Sequence, residues 1–309
     1  RGHKDNQAAI AKVGAIAPLC ALVREGSAEA KDRAAAAIWS LSTDNALNKD
    51  TIAKLGGIDP LLALLVTGTT ERSQTYVSGA LAALAAKHAD NRALTAKRLI
   101  SYLGSTAAKV GDRGIRVLMT CTAFSNDSTP NQVSIAKAGG IPTLISWLAS
   151  SQLDAQEEAA HSLFCLAMDN PMTQGQIAKG GGIPPLIGLV RKSSPLAQDY
   201  AARALWHLAS QPENQVIVAE AGGVRPLVGM LSAEGETASE LAAIVLVRLM
   251  NNVPAVSLSI ADKGGIAPLT QLMRNGSPGA QQQAAAVLAE LAIVPSIRDL
   301  IANAGAINQ

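Results

Sequence analysis

The sequence predicts an all-α solenoid, and three observations carry the prediction. A module returns from end to end, marked by Gly-(Gly/Ala)-Ile-x-Pro-Leu; Gly14 to Gly56 and Gly139 to Gly181 are each 42 positions apart. Ala and Leu dominate, while aromatic residues make up only 3% of the 309, a composition that favours close-packed helices over strands. The longest stretch of each module places apolar residues at i, i+3 and i+4, which makes one buried helical face. A period of this length stacks small units along one axis, each packing only on its neighbours. A chain that would otherwise split into two globular domains can then remain one array. Repeats are expected at about 1–46, 47–88, 89–127, 128–170, 171–211, 212–252 and 253–294, with a partial eighth at 295–309.

Each module reads as three helices. The first is short. Asn6, Asn48, Asn91, Asn131 and Asn214 stand near its start and are expected as N-caps, where a side-chain oxygen accepts from an orphan backbone N–H. The glycine pair ends it, because glycine readily takes the left-handed conformation at a helix C-terminus. Lys12, Lys54, Lys137 and Lys179 fall in its last turn, beside the negative end of the helix dipole. The second helix opens at Ile-x-Pro-Leu, since proline is tolerated in a first turn. Leu61, Leu62, Leu64 and Leu65 make it strongly apolar, so it is expected inside. Polar or Gly/Pro-bearing breaks follow at 24–27, 67–70, 192–195 and 275–279. The third helix is the longest. Residues 34–42, 201–209 and 284–292 share Ala-Ala-x-Ala-Leu-x-x-Leu-Ala, with exchanges at Ile38, Ser42 and Val287. Repeat three departs from the pattern. Ala96-Lys97-Arg98-Leu99-Ile100-Ser101-Tyr102 replaces its glycine turn, and a change of superhelical pitch is expected there.

A short helix, a Gly-Gly turn, an Ile-x-Pro-Leu helix and an Ala-rich third helix together resemble the armadillo repeat. The resemblance covers nearly the whole chain; HEAT repeats have two helices and lack this turn. It implies an armadillo-type right-handed α-solenoid superhelix with three helices per repeat. It also implies a concave groove, lined by the third helices, that binds extended protein segments.

A helical wheel at about 100° per residue sets Ser40 and its equivalents Ala83, Thr120, Cys165, His207, Arg248 and Glu290 opposite the apolar face. The residues four and seven earlier point the same way. These columns gather Arg113, Arg116, His161, Arg203, His207 and Arg248, with Tyr200 and Trp206 among them. Arg forks carboxylates and aromatics supply contact area, so this set is the candidate groove and favours an extended acidic segment. A plainer explanation stands beside it. Asp112, Glu157 and Asp199 lie four residues before Arg116, His161 and Arg203, the favoured spacing for intrahelical pairs, which would leave these bases neutralised on a solvated face. Importin-α, an armadillo adaptor, carries a Trp-x-x-x-Asn ladder in these columns. Here the Asn column holds no Asn and the Trp column no Trp; Trp39 and Trp206 stand one residue before the Asn position. Recognition of basic import signals is not expected.

A net charge of +2 gives no global attraction to nucleic acid. No apolar run approaches the ~18–20 residues that span a bilayer, and residues 1–10 show no signal peptide. Three cysteines argue against a disulfide framework and for the cytoplasm or nucleus. The chain opens on Arg1 and stops inside a module at Gly305-Ala306-Ile307, so it reads as part of a longer protein. The glycine pairs end helices rather than follow strands, which excludes a phosphate loop. His and Cys show no metal-ligand spacing, and His161 facing His207 would lack a third ligand, so no metal or cofactor is expected. Cys121 is expected in packing. Cys165, on the groove face, is a small apolar filler or a reactive thiol. No nucleophile, base and oxyanion site assemble. The leading expectation is a non-catalytic protein-interaction scaffold. The alternatives are a regulatory or targeting domain of a larger enzyme or motor, and a structural subunit of a large assembly. The mean hydropathy of +0.20 and low charge favour the last mildly. Oligomeric state is not legible.

Overall fold

Six glycines punctuate the chain. In the computed structural model, which describes residues 4–67, 70–106, 112–126, 128–233 and 236–304, Gly14, Gly56, Gly139, Gly181, Gly222 and Gly264 all have φ between 69° and 81°. Each separates a short first helix from an apolar second one. The first repeat holds α1 (Lys4–Lys12), α2 (Ile16–Glu25) and α3 (Ala28–Ser42), and the second α4 (Ala46–Lys54), α5 (Ile58–Thr67) and α6 (Glu71–Ala85). Among the described residues the third holds α7 (Ala89–Thr106) and α8 (Asp112–Ser125) alone. The fourth holds α9 (Thr129–Lys137), α10 (Gly140–Trp147) and α11 (Leu153–Ala167), and the fifth α12 (Pro171–Lys179), α13 (Ile183–Arg191) and α14 (Pro195–Leu208). The sixth holds α15 (Pro212–Glu220), α16 (Val224–Met230) and α17 (Glu236–Met250). The seventh holds α18 (Ala255–Asp262), α19 (Ile266–Asn275) and α20 (Pro278–Ile293), and α21 (Pro295–Asn303) opens the next. No strand occurs among the described residues. The chain forms two compact units, Arg1–Thr143 and Leu144–Gln309, and the sequence module runs across that boundary. Gly305, Ala306 and Ile307 lie outside the described residues.

The two glycines of a pair do different work. Gly56 has φ 69° and open space around a would-be Cβ, so it is there for its backbone conformation. A Cβ on Gly57 would stand 2.7 Å from Ile52 Cγ2 and 3.0 Å from Cys20 Sγ. Gly57 therefore lets α5 start hard against the end of α4 and against α2 of the preceding repeat. Lys12, Lys54, Lys137 and Lys179 are the last residues of α1, α4, α9 and α12, as the dipole argument required. Leu61, Leu62, Leu64 and Leu65 of α5 are buried, and Ala34, Ala35, Ile38 and Leu41 form the buried stripe of α3.

Repeat three breaks the three-helix rule. Residues 89–106 form one continuous helix of 18 residues, about 27 Å long. Between 96 and 102 no glycine can take a left-handed turn and no proline interrupts the ladder. Ala, Lys, Arg and Leu are good helix formers, so the first and second helices fuse.

The asparagines are not N-caps. Asn48 is the third residue of α4, already helical, and the cap is Asn45, whose side chain accepts from the Asn48 N–H at 3.1 Å. Asn6 likewise lies inside α1. A cap needs extended backbone just outside the helix, which Asn45 (φ −128°, ψ 94°) and Asn170 (φ −132°, ψ 91°) provide. Four of these asparagines instead donate backwards, to a carbonyl near the end of the preceding third helix. Asn48 Nδ2 reaches Leu41 O at 2.9 Å, Asn91 reaches Leu84 O at 3.3 Å, Asn131 reaches Phe124 O at 2.7 Å, and Asn214 reaches Leu208 O at 2.9 Å. Thr173 takes this place in the fifth repeat, its hydroxyl donating to Leu166 O. The third helices α3, α6, α14 and α20 have caps of their own in Ser27, Thr70, Ser194 and Ser277. No single helix among the described residues is long and apolar enough to cross a membrane; α1 and α2 reach that composition only as a pair bent by 81°.

Candidate functional site

Within Leu144–Gln309 the third helices α11, α14, α17 and α20 pack in sequence, each against the next. Small residues make this possible: Ala159, Ala160, Ala201, Ala202, Ala242 and Ala243 are fully buried, so neighbouring backbones approach closely. That closeness shifts the face the helical wheel predicted. In the reference column Thr120, Cys165 and His207 are buried, and only Ser40 and Glu290 at the two ends are exposed. The column four residues earlier is half-buried in every repeat where it is described, at Ala36, Gly79, His161, Arg203, Ile244 and Ala286. Cys165, at 0% exposure, has no route to a reagent, which closes the reactive-thiol alternative. Burial pushes the Cys121 thiol up to about 12. The side chains of Arg113 and Arg116, with Asp112, lie outside the described residues.

The other six predicted residues come together on α11, α14 and α17. The His161 ring stacks flat on Tyr200, with centroids 3.9 Å apart and planes 7° from parallel. Phe164, one turn further along α11, lies 6.1 Å from His161 and 5.6 Å from His207. His207 tilts against Trp206 at 4.7 Å. The Arg248 guanidinium sits over the Trp206 ring, 5.4 Å from its centroid, a cation–π contact. The result is one aromatic row: Tyr200, His161, Phe164, His207 and Trp206, closed by Arg248. The two histidines do not face each other, because Phe164 lies between them. Among the described residues no three His, Cys, Asp or Glu gather as a metal site.

The charges are partly engaged. Arg203 Nε bonds Asp199 Oδ2 at 2.7 Å, the intrahelical pair the spacing suggested. Glu157 does not turn to His161; it accepts from the Ser194 hydroxyl at the N-cap of α14. Arg248 Nη1 donates to Trp206 O at 3.1 Å and to Ser210 Oγ at 2.6 Å. Burial holds the His161 pKa below the ordinary imidazole value, helped by Arg203 and opposed by Asp199. Burial also lowers His207, helped by Arg248 and Arg203 and opposed by Asp169. Both rings are therefore neutral at pH 7 and act as flat aromatic surface. Burial raises the Tyr200 phenol, with Glu158 and Asp199 adding to it. The positive charge of this face thus resides in Arg203 and in Arg248; burial lowers the Arg248 pKa but leaves it charged.

Sequence reasoning missed Phe164 and Ser210. Phe164 stands three residues after His161, on the same face of α11, so its spacing carried the signal. Ser210 lies just past α14, where a helical wheel says nothing. Of the two tryptophans one residue before the Asn position, Trp206 is half-buried and Trp39 is exposed.

No family model matches the chain, and no curated protein matches it in sequence. Solved structures do match in shape. An engineered protein superposes with a TM-score of 0.61 at 23% identity, over 99% of this chain and 86% of that one. Computationally designed armadillo repeat proteins for modular peptide recognition give 0.60 at 14% identity, over 89% of this chain and 99% of theirs. A designed armadillo repeat protein in complex with the peptide (KR)4 gives 0.58 at 15%, with the same coverage. The chain has the armadillo-like repeat fold.

Proposed function

We propose that the chain is a non-catalytic scaffold that receives an extended, acidic segment of a partner protein along the third-helix face of α11, α14 and α17. The aromatic row closed by the Arg248 guanidinium, with Arg203 on the same helix as Tyr200 and Trp206, is the observation that carries this reading. Stacked rings supply rigid contact area at little entropic cost, and Arg forks carboxylates. The present partners of the two arginines leave donors to spare: Arg203 uses Nε on Asp199, and Arg248 is held by a hydroxyl and a carbonyl. Designed proteins of this fold bind peptides, one of them the basic (KR)4. The absence of the Trp-x-x-x-Asn ladder and the two arginines of this face favour the opposite charge.

The test is fluorescence anisotropy with labelled (Glu-Phe)4 and (Lys-Arg)4 peptides against the whole chain and an Arg203→Glu/Arg248→Glu variant. The acidic peptide should bind the chain, weaken as salt rises, and lose affinity at least roughly tenfold in the variant. Stronger binding of (Lys-Arg)4, or equal binding of (Glu-Phe)4 by chain and variant, would sink the reading.

A further inference from the structure

We infer a second docking site: the trough between α7 and α9 takes an acidic amphipathic helix of a partner protein. The trough encloses about 800 Å³ and lies wholly within Arg1–Thr143. Its walls are two ridges at i, i+4, i+8 spacing, Ala89–Ala93–Lys97 on α7 and Thr129–Val133–Lys137 on α9, with Arg92 beside the first. Ridges of this spacing are the surfaces into which a third helix packs. Each runs about 12 Å, or a little over two helical turns.

The charge pattern selects the occupant. Arg92, Lys97 and Lys137 line the trough, no lining residue is acidic, and none of the three cations has an ion pair among the described residues. Their neighbour Arg98 is by contrast paired with Asp59 at 2.8 Å. The floor of Ala89, Ala93 and Val133 is apolar and small, so a helix backbone can come close. A partner helix with Leu or Ala on one face and carboxylates on its flanks satisfies both features: apolar contact along the floor, and Glu or Asp against the lysines that end each ridge. The lysine that ends each ridge stands at the same place in its module, six residues after Asn91 on α7 and six after Asn131 on α9.

The experiment uses a helix-stapled, fluorescein-labelled peptide of about four turns, Leu and Ala on one face and Glu on both flanks. Anisotropy is measured with the whole chain, a Lys97→Glu/Lys137→Glu variant, a milder Lys97→Ala/Lys137→Ala variant, and Arg203→Glu. All four are checked for unchanged helicity; the Ala variant keeps helix propensity and guards against misfolding. Binding should weaken severalfold with Ala and roughly tenfold with Glu, fall with salt, vanish when the peptide carries Lys for Glu, and remain unchanged in Arg203→Glu. Lack of binding to the whole chain overturns the proposal. So does equal binding by the charge-reversed trough at intact helicity. Loss of binding in Arg203→Glu alone would move the peptide to the third-helix face and overturn it as well. Because the trough and the aromatic row respond to different variants, either proposal can fail without the other.

Discussion

The glycine pair at the end of α12 offers the sharpest test of the physical reading. Gly181 has φ 78° and nothing within 4 Å of a would-be Cβ, so an alanine there meets only the strain of the left-handed region. That strain is about 1–2 kcal/mol for an L-residue, and the stiffer unfolded chain offsets about 0.4–1 kcal/mol of it. The net loss for Gly181→Ala is then about 1 kcal/mol, and Gly181→Asn, which visits this region readily, should lose less still. Gly182 has an ordinary backbone but no room. Its Cβ would lie 2.7 Å from Ile177 Cγ2 and 3.0 Å from Ile177 O. Neither atom can yield: Ile177 is fully buried, and its carbonyl accepts the Gly182 N–H at 2.9 Å. Overpacking of this kind costs about 1–3 kcal/mol, and the trapped carbonyl puts Gly182→Ala toward the upper end. Repeat proteins do not unfold strictly all-or-none. The assay is therefore amide hydrogen exchange in α12 and α13, alongside urea unfolding. Protection should fall in the order Gly181→Asn, Gly181→Ala, Gly182→Ala. If Asn is as harmful as Ala at 181, or Ala no worse at 182 than at 181, the division of labour between the two glycines is wrong.

Three further outcomes are expected. Asn214→Ala should cost about 1–3 kcal/mol by stranding a buried carbonyl, and Asn214→Asp should cost more, because a carboxylate would face Leu208 O; unfolding titrations in which Asp proved the milder change would restore the capping role. A Cβ on Gly79 would strike the Trp39 ring at 2.6 Å, so Gly79→Ala should lose about 1 kcal/mol and shift Trp39 emission, yet gain stability in a Trp39→Ala background, where only helix propensity is left; a loss in both backgrounds contradicts the contact. His161 and His207 have lowered folded pKa values, so the unfolded chain binds protons first as pH falls through about 6.5. Their contribution to stability is full above that value and is lost on acidification towards the folded pKa values; urea midpoints of a His161→Phe/His207→Phe chain that decline as steeply with acid as those of the parent would rule this out.

Features that depend on a few consecutive residues were legible in the sequence. Glycine turns, first-turn prolines and last-turn lysines obey local backbone rules, and all fall where expected. The caps of the third helices were legible too, since Ser27, Ser194 and Ser277 stand directly before a helical run, but they passed as loop residues. The asparagines misled because a cap and a donor in the third position of a helix differ by three residues, and only burial shows which atom of the amide is used. The missing glycines of repeat three were plain; that the result is a fused helix required seeing that nothing else in 96–102 stops one. In the site, Asp199–Arg203 was readable because both lie on one helix. The stack of His161 on Tyr200 and the cover of Trp206 by Arg248 join different helices, and their register is set by alanine contacts that no wheel contains.

The back-donating asparagines have a consequence for how such a chain can change over generations. Each one reaches for a main-chain carbonyl, and every residue type carries the same carbonyl. The joint therefore makes no demand on the identity of the side chain it meets. An incoming unit brings its own donor and finds an acceptor wherever a third helix ends, so a unit can be copied, moved or lost without a matching substitution in its neighbour. Thr173, which makes the same bond with a hydroxyl, shows that even the donor can be exchanged while the joint persists.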